Sequence, residues 1–296
     1  MRRLLASVLA ALAVSSASAA EAPRAPDPPA TVEAVQMPAW LERDGARAPL
    51  APGTALRAGD ALRTGEGARV LLALPEGSSV RLGEQSEFRL ETSGVRRDGV
   101  FVAAMNVLAG AFRFTTGALA RVRSREVDVT IRTVTAGIRG TDLWGKAGDD
   151  RDVVCLIEGR IEVRRAGEPS ITMAEPRSFF VAPRGGRALP VRPVEAAQLA
   201  RWAAETEIEA GRGAARRGGR WAVVLAGGAT ERALLGAYGA AQAAGYAAEV
   251  RAAPTAAAEA YELAIGQLPS RADAEALAAA LAGRFGPGAP RVAERP

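Results

Sequence analysis

"TVTAGIRGTDLWGKAGDDRDVVCLIEGRIEVRR", residues 133–165, is the stretch on which the reading of the fold turns. Apolar residues alternate on either side of a polar turn, and the segment carries the only cysteine and the only lysine of the chain. Thr133 and Val134 read as the close of one strand. Gly137 and Gly140 bracket a tight backbone excursion, which glycine tolerates because it lacks a Cβ. Residues 141–146 and 153–157 then read as hairpin arms across a loop holding Asp149, Asp150 and Asp152. Glu158-Gly159 turns the chain again, into 160–164. Every unusual residue has a turning or packing task, so the pattern calls for a bent backbone and not for a chemical site. Cys155 lies in the apolar run 153–157 and reads as a small buried hydrophobe. The three aspartates read as a solvated turn, since EF-hand ligand spacing is missing.

The same period continues upstream. Val70, Leu72 and Leu74 alternate with Arg69, Leu71 and Ala73; Val80 and Leu82 follow a Pro75-Glu76-Gly77 turn, then Phe88 and Leu90. Further strand patterns fall at 107–114 and 127–134. Short antiparallel strands with glycine turns and no long helical pattern predict an all-β domain over residues 31–191, a sandwich or solenoid-like.

From Val194 the period changes. Ala196, Leu199, Trp202 and Ala203 fall at helical spacing and predict a connecting helix within 192–210. Residues 211–219, rich in glycine and arginine, read as a flexible linker. Residues 220–296 then repeat a βαβ unit: strand 221–226, helix 230–244, strand 246–251; strand 261–266, helix 270–284, and a short closing strand at 291–292. Ser270 with Asp273 has capping-box spacing. This order predicts a small α+β domain, a four-stranded antiparallel sheet with two helices on one face. Alternation turns Trp221, Val223, Leu225, Tyr261, Leu263 and Ile265 toward the helices.

Length and composition agree with two domains. The chain has 296 residues, 48% of them hydrophobic, enough for a sizeable core. At the start, Arg2 and Arg3 precede the apolar run 4–14, and Ala17-Ser18-Ala19 offers a cleavage site, so residues 1–19 read as a signal peptide. The run is too short for a stable anchor. Residues 20–30, rich in proline and alanine, read as a disordered leader. The expected mature protein is exported, with no stable membrane anchor after cleavage. A formal charge of +5 spread along the chain argues for surface solvation and against a nucleic-acid groove. With no histidine, the Ser-His-Asp and Cys-His mechanisms and histidine-ligated zinc are excluded. A carboxylate-only glycan-cleaving activity would fall to Asp142 or Glu158, both in strand-and-turn settings. The expectation is a protein that is not an enzyme and needs neither cofactor nor metal.

Two resemblances sharpen this. "GTALRAGDALRTGEGARVLLALPEGSSVRL", "NVLAGAFRF", "IRTVTAGIRGTD" and "VVCLIEGRIEV" occur in order over residues 32–163, which resembles the FecR-like periplasmic domain. The best-known FecR proteins are inner-membrane signal transducers whose cytoplasmic segment controls a sigma factor. Here the signal-peptide pattern stands in place of that segment, so the resemblance implies the periplasmic module alone. "RWAVVLAGG", "AQAAGYAAEV" and "YELAIGQLPSRADAEALAAAL" are similar to the SPOR domain, a peptidoglycan-binding module of bacterial cell-envelope and cell-division proteins. That resemblance implies a protein of the Gram-negative periplasm whose partner is peptidoglycan, with septal glycan stripped of peptide stems favoured. The ligand face would carry Ala222, Val224, Ala226, Gly227, Glu262 and Ala264. SPOR members commonly have glutamine at the position of Val224 and serine at that of Gly227, so two polar contacts are missing here. The alternative is a periplasmic scaffold or signalling protein whose partner is another envelope protein.

Overall fold

The computed structural model describes residues 30–117, 124–253, 260–286 and 288–295, so the expected signal peptide and nearly all of the leader lie outside the described residues. The first half of the β-rich part comprises β1 (Ala30–Gln36), β2 (Ala39–Arg43), β3 (Ala46–Pro49), β4 (Ala55–Leu56), β5 (Ala61–Thr64), β6 (Arg69–Ala73), β7 (Ser79–Leu82), β8 (Glu87–Val95) and β9 (Phe101–Thr115). The second comprises β10 (Arg125–Ile131), β11 (Val134–Ile138), β12 (Asp142–Ala147), β13 (Arg151–Glu158), β14 (Ile161–Arg165), β15 (Ile171–Met173), β16 (Ser178–Pro183) and β17 (Leu189–Pro193). They form two sheets that share β9. Residues 101–109 of β9 pair with β8 and β10, whereas residues 110–115 pair with β7 and β12. Gly110, at φ +78°, makes the passage between sheets; a Cβ there would lie 2.6 Å from Ser86 Cα.

Alternation explains the core. Val70, Leu72, Val80, Leu82, Phe88, Leu90, Phe112 and Phe114 each expose 1% or less and belong to one buried cluster. Such burial dominates stability at about 1.5–3 kcal/mol per large side chain. Two details depart from the expectation. β9 and β10 are parallel, not antiparallel. The expected strand over 127–134 is a hairpin, β10–β11, that reverses at Arg132 with φ +47°. Arg132 is pinned there because its N–H donates to Val107 O at 3.0 Å and its Nε to Leu108 O at 3.0 Å.

Helix α1 (Ala196–Ala204) appears where helical spacing places it and covers the outer face of β12, β13 and β16. Trp202 stacks on Trp144 with centroids 4.7 Å apart and planes 6° from parallel, and meets Phe179 edge-on at 5.5 Å. Lys146 Nζ closes the end of α1 by pairing with Glu205 Oε2 at 2.8 Å.

The stretch read as a flexible linker is packed. β18 (Ala215–Arg216) pairs antiparallel with β1, Arg217 N–H donates to Glu33 O at 3.0 Å, and Ala214 and Ala215 are buried. Its glycines serve as turn residues: Gly211, Gly213 and Gly218 all have positive φ. Small alanines between them allow close approach to a sheet edge.

The C-terminal part contains β19 (Trp221–Gly228), α2 (Glu231–Ala243), β20 (Glu249–Ala252), β21 (Tyr261–Leu268), α3 (Arg271–Ala280) and β22 (Arg291–Glu294). Its sheet runs β20-β21-β19-β22, antiparallel throughout. Val223, Leu225, Leu263 and Ile265 join Leu234, Ala241, Ala274 and Leu277 of the helices in the buried cluster; Trp221 and Tyr261 are half-buried at its edge. Thr230 caps α2 and Ser270 caps α3 through side chains that accept the Ala233 and Asp273 N–H groups. The cluster continues through Met37, Tyr246 and Ala248 into the β-sandwich. Ala39 N–H donates to Gly245 O at 3.1 Å and Trp40 Nε1 to Ala243 O at 3.3 Å across that junction.

Candidate functional site

The helix-free face of the C-terminal sheet is where the sequence reading locates a ligand. Register sets Glu249, Ala264, Val224 and Arg291 in one row across the four strands, and Arg251, Glu262 and Gly227 in the next. Ala222, opposite Ala293, extends the face toward the sheet's other end. Five of the expected residues, Ala222, Val224, Gly227, Glu262 and Ala264, therefore share it.

Ala226 does not. A bulge between Val224 and Ala226 shifts the pairing so that Ala226 stands opposite Leu263, a fully buried residue of the helix side. Two residues set against one partner break strict alternation, and the sequence carries no mark of the break. The second difference is exposure. Ala222 (0%), Glu262 (2%), Ala264 (3%) and Val224 (5%) are buried, so of the five only Gly227 is exposed. Long side chains stand on the neighbouring strands of the same face.

Those long side chains are arginines that strand alternation alone did not single out. Arg251 Nε donates to Glu262 Oε1 at 2.7 Å, and Arg291 Nη2 to Glu262 Oε2 at 3.1 Å. Both carboxylate oxygens of Glu262 are thereby engaged. Arg295 crosses the same face farther along, where a Cβ on Gly266 would collide with its guanidinium. Beside it, Gln267 Nε2 donates to Pro52 O at 3.4 Å, so this end of the face adjoins the sandwich. Guanidinium groups keep several N–H donors after one ion pair, and the face thus offers donors to oxygen-rich ligands. The signal for them was Glu249 and Arg251 at alternate positions of one strand, on the parity of Glu262.

The other singled-out residues have structural settings. Asp142 is gripped by Arg113 in a two-point pair, Nε–Oδ1 2.9 Å and Nη2–Oδ2 2.6 Å, with Glu158 opposite it across the ladder. Asp149 and Asp150 lie in an exposed turn, but Asp152 is 1% exposed and not solvated: Thr133 N–H and Oγ1 donate to its Oδ2 at 3.1 and 2.7 Å. Cys155 is fully buried, and burial, with a smaller contribution from Asp142, pushes its thiol pKa up to about 12. Among the described residues, no group of three or more Cys, Asp or Glu is placed to hold a metal, and no helix is long and apolar enough to cross a membrane.

Residues 60–162 match the family model FecR, described as FecR protein. The match runs from the start of β5 into β14 and includes the shared strand β9. Two crystal structures of a candidate anti-sigma factor from Parabacteroides distasonis ATCC 8503, at 1.65 and 2.50 Å, are similar to the chain. Each is 15% identical with a TM-score of 0.40, and the alignment covers 80% of this chain and 99% of that one. No curated protein matches.

Proposed function

We propose that this is an exported, non-enzymatic cell-envelope protein that binds peptidoglycan glycan strands through the helix-free face of its C-terminal sheet. The FecR-like sandwich serves as the periplasmic sensing or signalling module, a role the family match over residues 60–162 supports. The observation that carries the glycan reading is the arginine-lined face itself. Arg251 and Arg291 converge on Glu262, and Arg295 lies against Gly266, on one face of a four-stranded sheet backed by two helices. The SPOR resemblance of residues 220–296 supplies the ligand class, and guanidinium donors take the part of the glutamine and serine that Val224 and Gly227 replace. Cosedimentation of the whole chain with amidase-treated sacculi tests the reading. Enrichment over untreated sacculi, reduced by Arg251→Gln with Arg291→Gln, is the expected result; equal pelleting on both substrates refutes it.

A second reading, a scaffold contact with another envelope protein, is favoured by a separate feature. Among the described residues β20 is an edge strand paired only with β21, and Leu235 (57% exposed) and Tyr238 (37%) of α2 line a groove with Val250 beside it. Recovery of one envelope protein from sacculus-free extracts, lost on Leu235→Asp, would favour it.

A further inference from the structure

The outer face of the sheet formed by β10, β11, β14 and β15 contains a depression of about 350 Å³ far in sequence from the glycan face. Its floor is Gly137. Register aligns Asp128, Gly137, Glu162 and Thr172 in one row across the four strands, and the missing side chain at Gly137 leaves room for the Asp128–Arg164 ion pair, 3.5 Å from Arg164 Nη1 to where a Cβ would lie. Gly137 has ordinary strand geometry, and a Cβ there would come 3.3 Å from Asp128 Oδ1. The glycine is needed for the space and not for its backbone.

The charges around the hollow are unevenly satisfied. Asp128 is bound to Arg164 at 2.9 Å, Glu162 lies 3.7 Å from the same guanidinium, and Glu126 pairs with Arg96 at 3.0 Å. Arg139 and Arg160 line the same hollow, and neither has a carboxylate partner among the described residues. The β11–β14 ladder ends at Ile138 and Ile161, and Arg139 and Arg160 are the residues next to that last pair, at one end of the hollow. Like charges brought close on neighbouring strands are unfavourable, and an anion held between them relieves the repulsion. Arg125 stands at the rim, where its Nη1 donates to Ser78 Oγ at 3.4 Å.

We propose that this depression binds a short peptide by its free carboxylate, gripped between Arg139 and Arg160. Guanidinium forks match the planar carboxylate in two-point geometry. Glu126, Asp128 and Glu162, held by Arg96 and Arg164, line the other side of the hollow, where a ligand's positive amino end can turn toward their carboxylates. The site does not depend on the glycan reading, because it shares no residue with the C-terminal sheet.

The test is calorimetric titration of the whole chain with trialanine, its C-terminal amide and inorganic phosphate at low salt. Trialanine should bind and the amide should bind about tenfold or more weakly, the loss that follows when a charged hydrogen-bond pair is removed. Arg139→Gln with Arg160→Gln should weaken trialanine by at least that factor. Gly137→Leu should abolish binding by filling the hollow with no change of charge, while thermal unfolding confirms that each variant is folded. Equal affinity for trialanine and its amide, undiminished binding in the folded variants, or binding of phosphate with none of trialanine would each overturn the proposal, as would no binding of any probe.

Discussion

Asp273 Oδ1 accepts the backbone N–H of Gly211 at 2.8 Å, which ties the first turn of α3 to the connector leaving the β-sandwich. The same oxygen accepts Gly213 N–H at 3.2 Å, while Oδ2 receives the Ser270 hydroxyl at 2.5 Å. An aspartate that reads as half of a capping box spends most of its capacity on a segment some sixty residues earlier. The carboxylate is 2% exposed, so removing it strands buried N–H donors.

Asp273→Ala should therefore destabilise the chain by about 2–4 kcal/mol, combining a lost cap interaction with orphaned connector amides. Urea unfolding measures the loss. Limited trypsinolysis should cut faster at Arg212, Arg216 or Arg217 in the variant; an unchanged rate would show that β18 holds the connector without Asp273.

Asp60 sets a pH dependence. Burial by itself raises its pKa, but the Arg43 guanidinium (Nε–Oδ1 2.8 Å, Nη2–Oδ2 2.6 Å) and the Arg57 N–H together outweigh that and hold it below the ordinary carboxylate value. A group with a depressed folded pKa adds stability above its unfolded pKa of about 3.9 and loses it as pH falls through the folded value. Asp60→Asn should cost stability at pH 7, and its deficit against the parent should shrink as pH drops below about 4. Acid titrations of unfolding free energy for both proteins read this directly.

Cys155 should resist thiol reagents. With the pKa pushed up to about 12 and the side chain fully buried, almost no thiolate is present or reachable at pH 8. Ellman's reagent should report no free thiol in the folded protein and one per chain in denaturant. Rapid labelling of the native state would contradict the packing of β12, β13 and α1 around it.

Trp202→Ala should release α1 from the outer sheet face and cost about 2–4 kcal/mol, less than a fully buried tryptophan because Trp202 is only half-buried. The parallel Trp144–Trp202 stack should give an exciton couplet in circular dichroism that vanishes in the variant. Persistence of the couplet would assign it to other aromatic residues.

Local patterns were enough for most strands. Alternation at Val70, Leu72, Val80 and Leu82 specifies which side faces the core, and the helical spacing of Leu199 and Trp202 locates α1. What stayed hidden depends on partners remote in sequence. The turn at Arg132 lacks glycine or asparagine and is held by the Val107 and Leu108 carbonyls, so 127–134 reads as one strand. Asp152 reads as a loop acid because its donor, Thr133, lies across the fold. In residues 211–219 glycine signals a loose tether, although its positive-φ turns lead into a strand beside β1. At the candidate face, strict alternation fails at the Val224–Ala226 bulge, where Gly286 packs so closely that a Cβ would sit 2.7 Å from Leu225 O. The arginines over that face were visible as letters, but their convergence on Glu262 required four strands to be in register.

The shared strand β9 gives the sandwich a common hinge-board that cannot be split between its leaves. Pulling the two sheets apart must tear β9 from β8 and β10 on one side or from β7 and β12 on the other, so neither leaf has a separate way to melt. Its central amides should be the last in the molecule to exchange with deuterium.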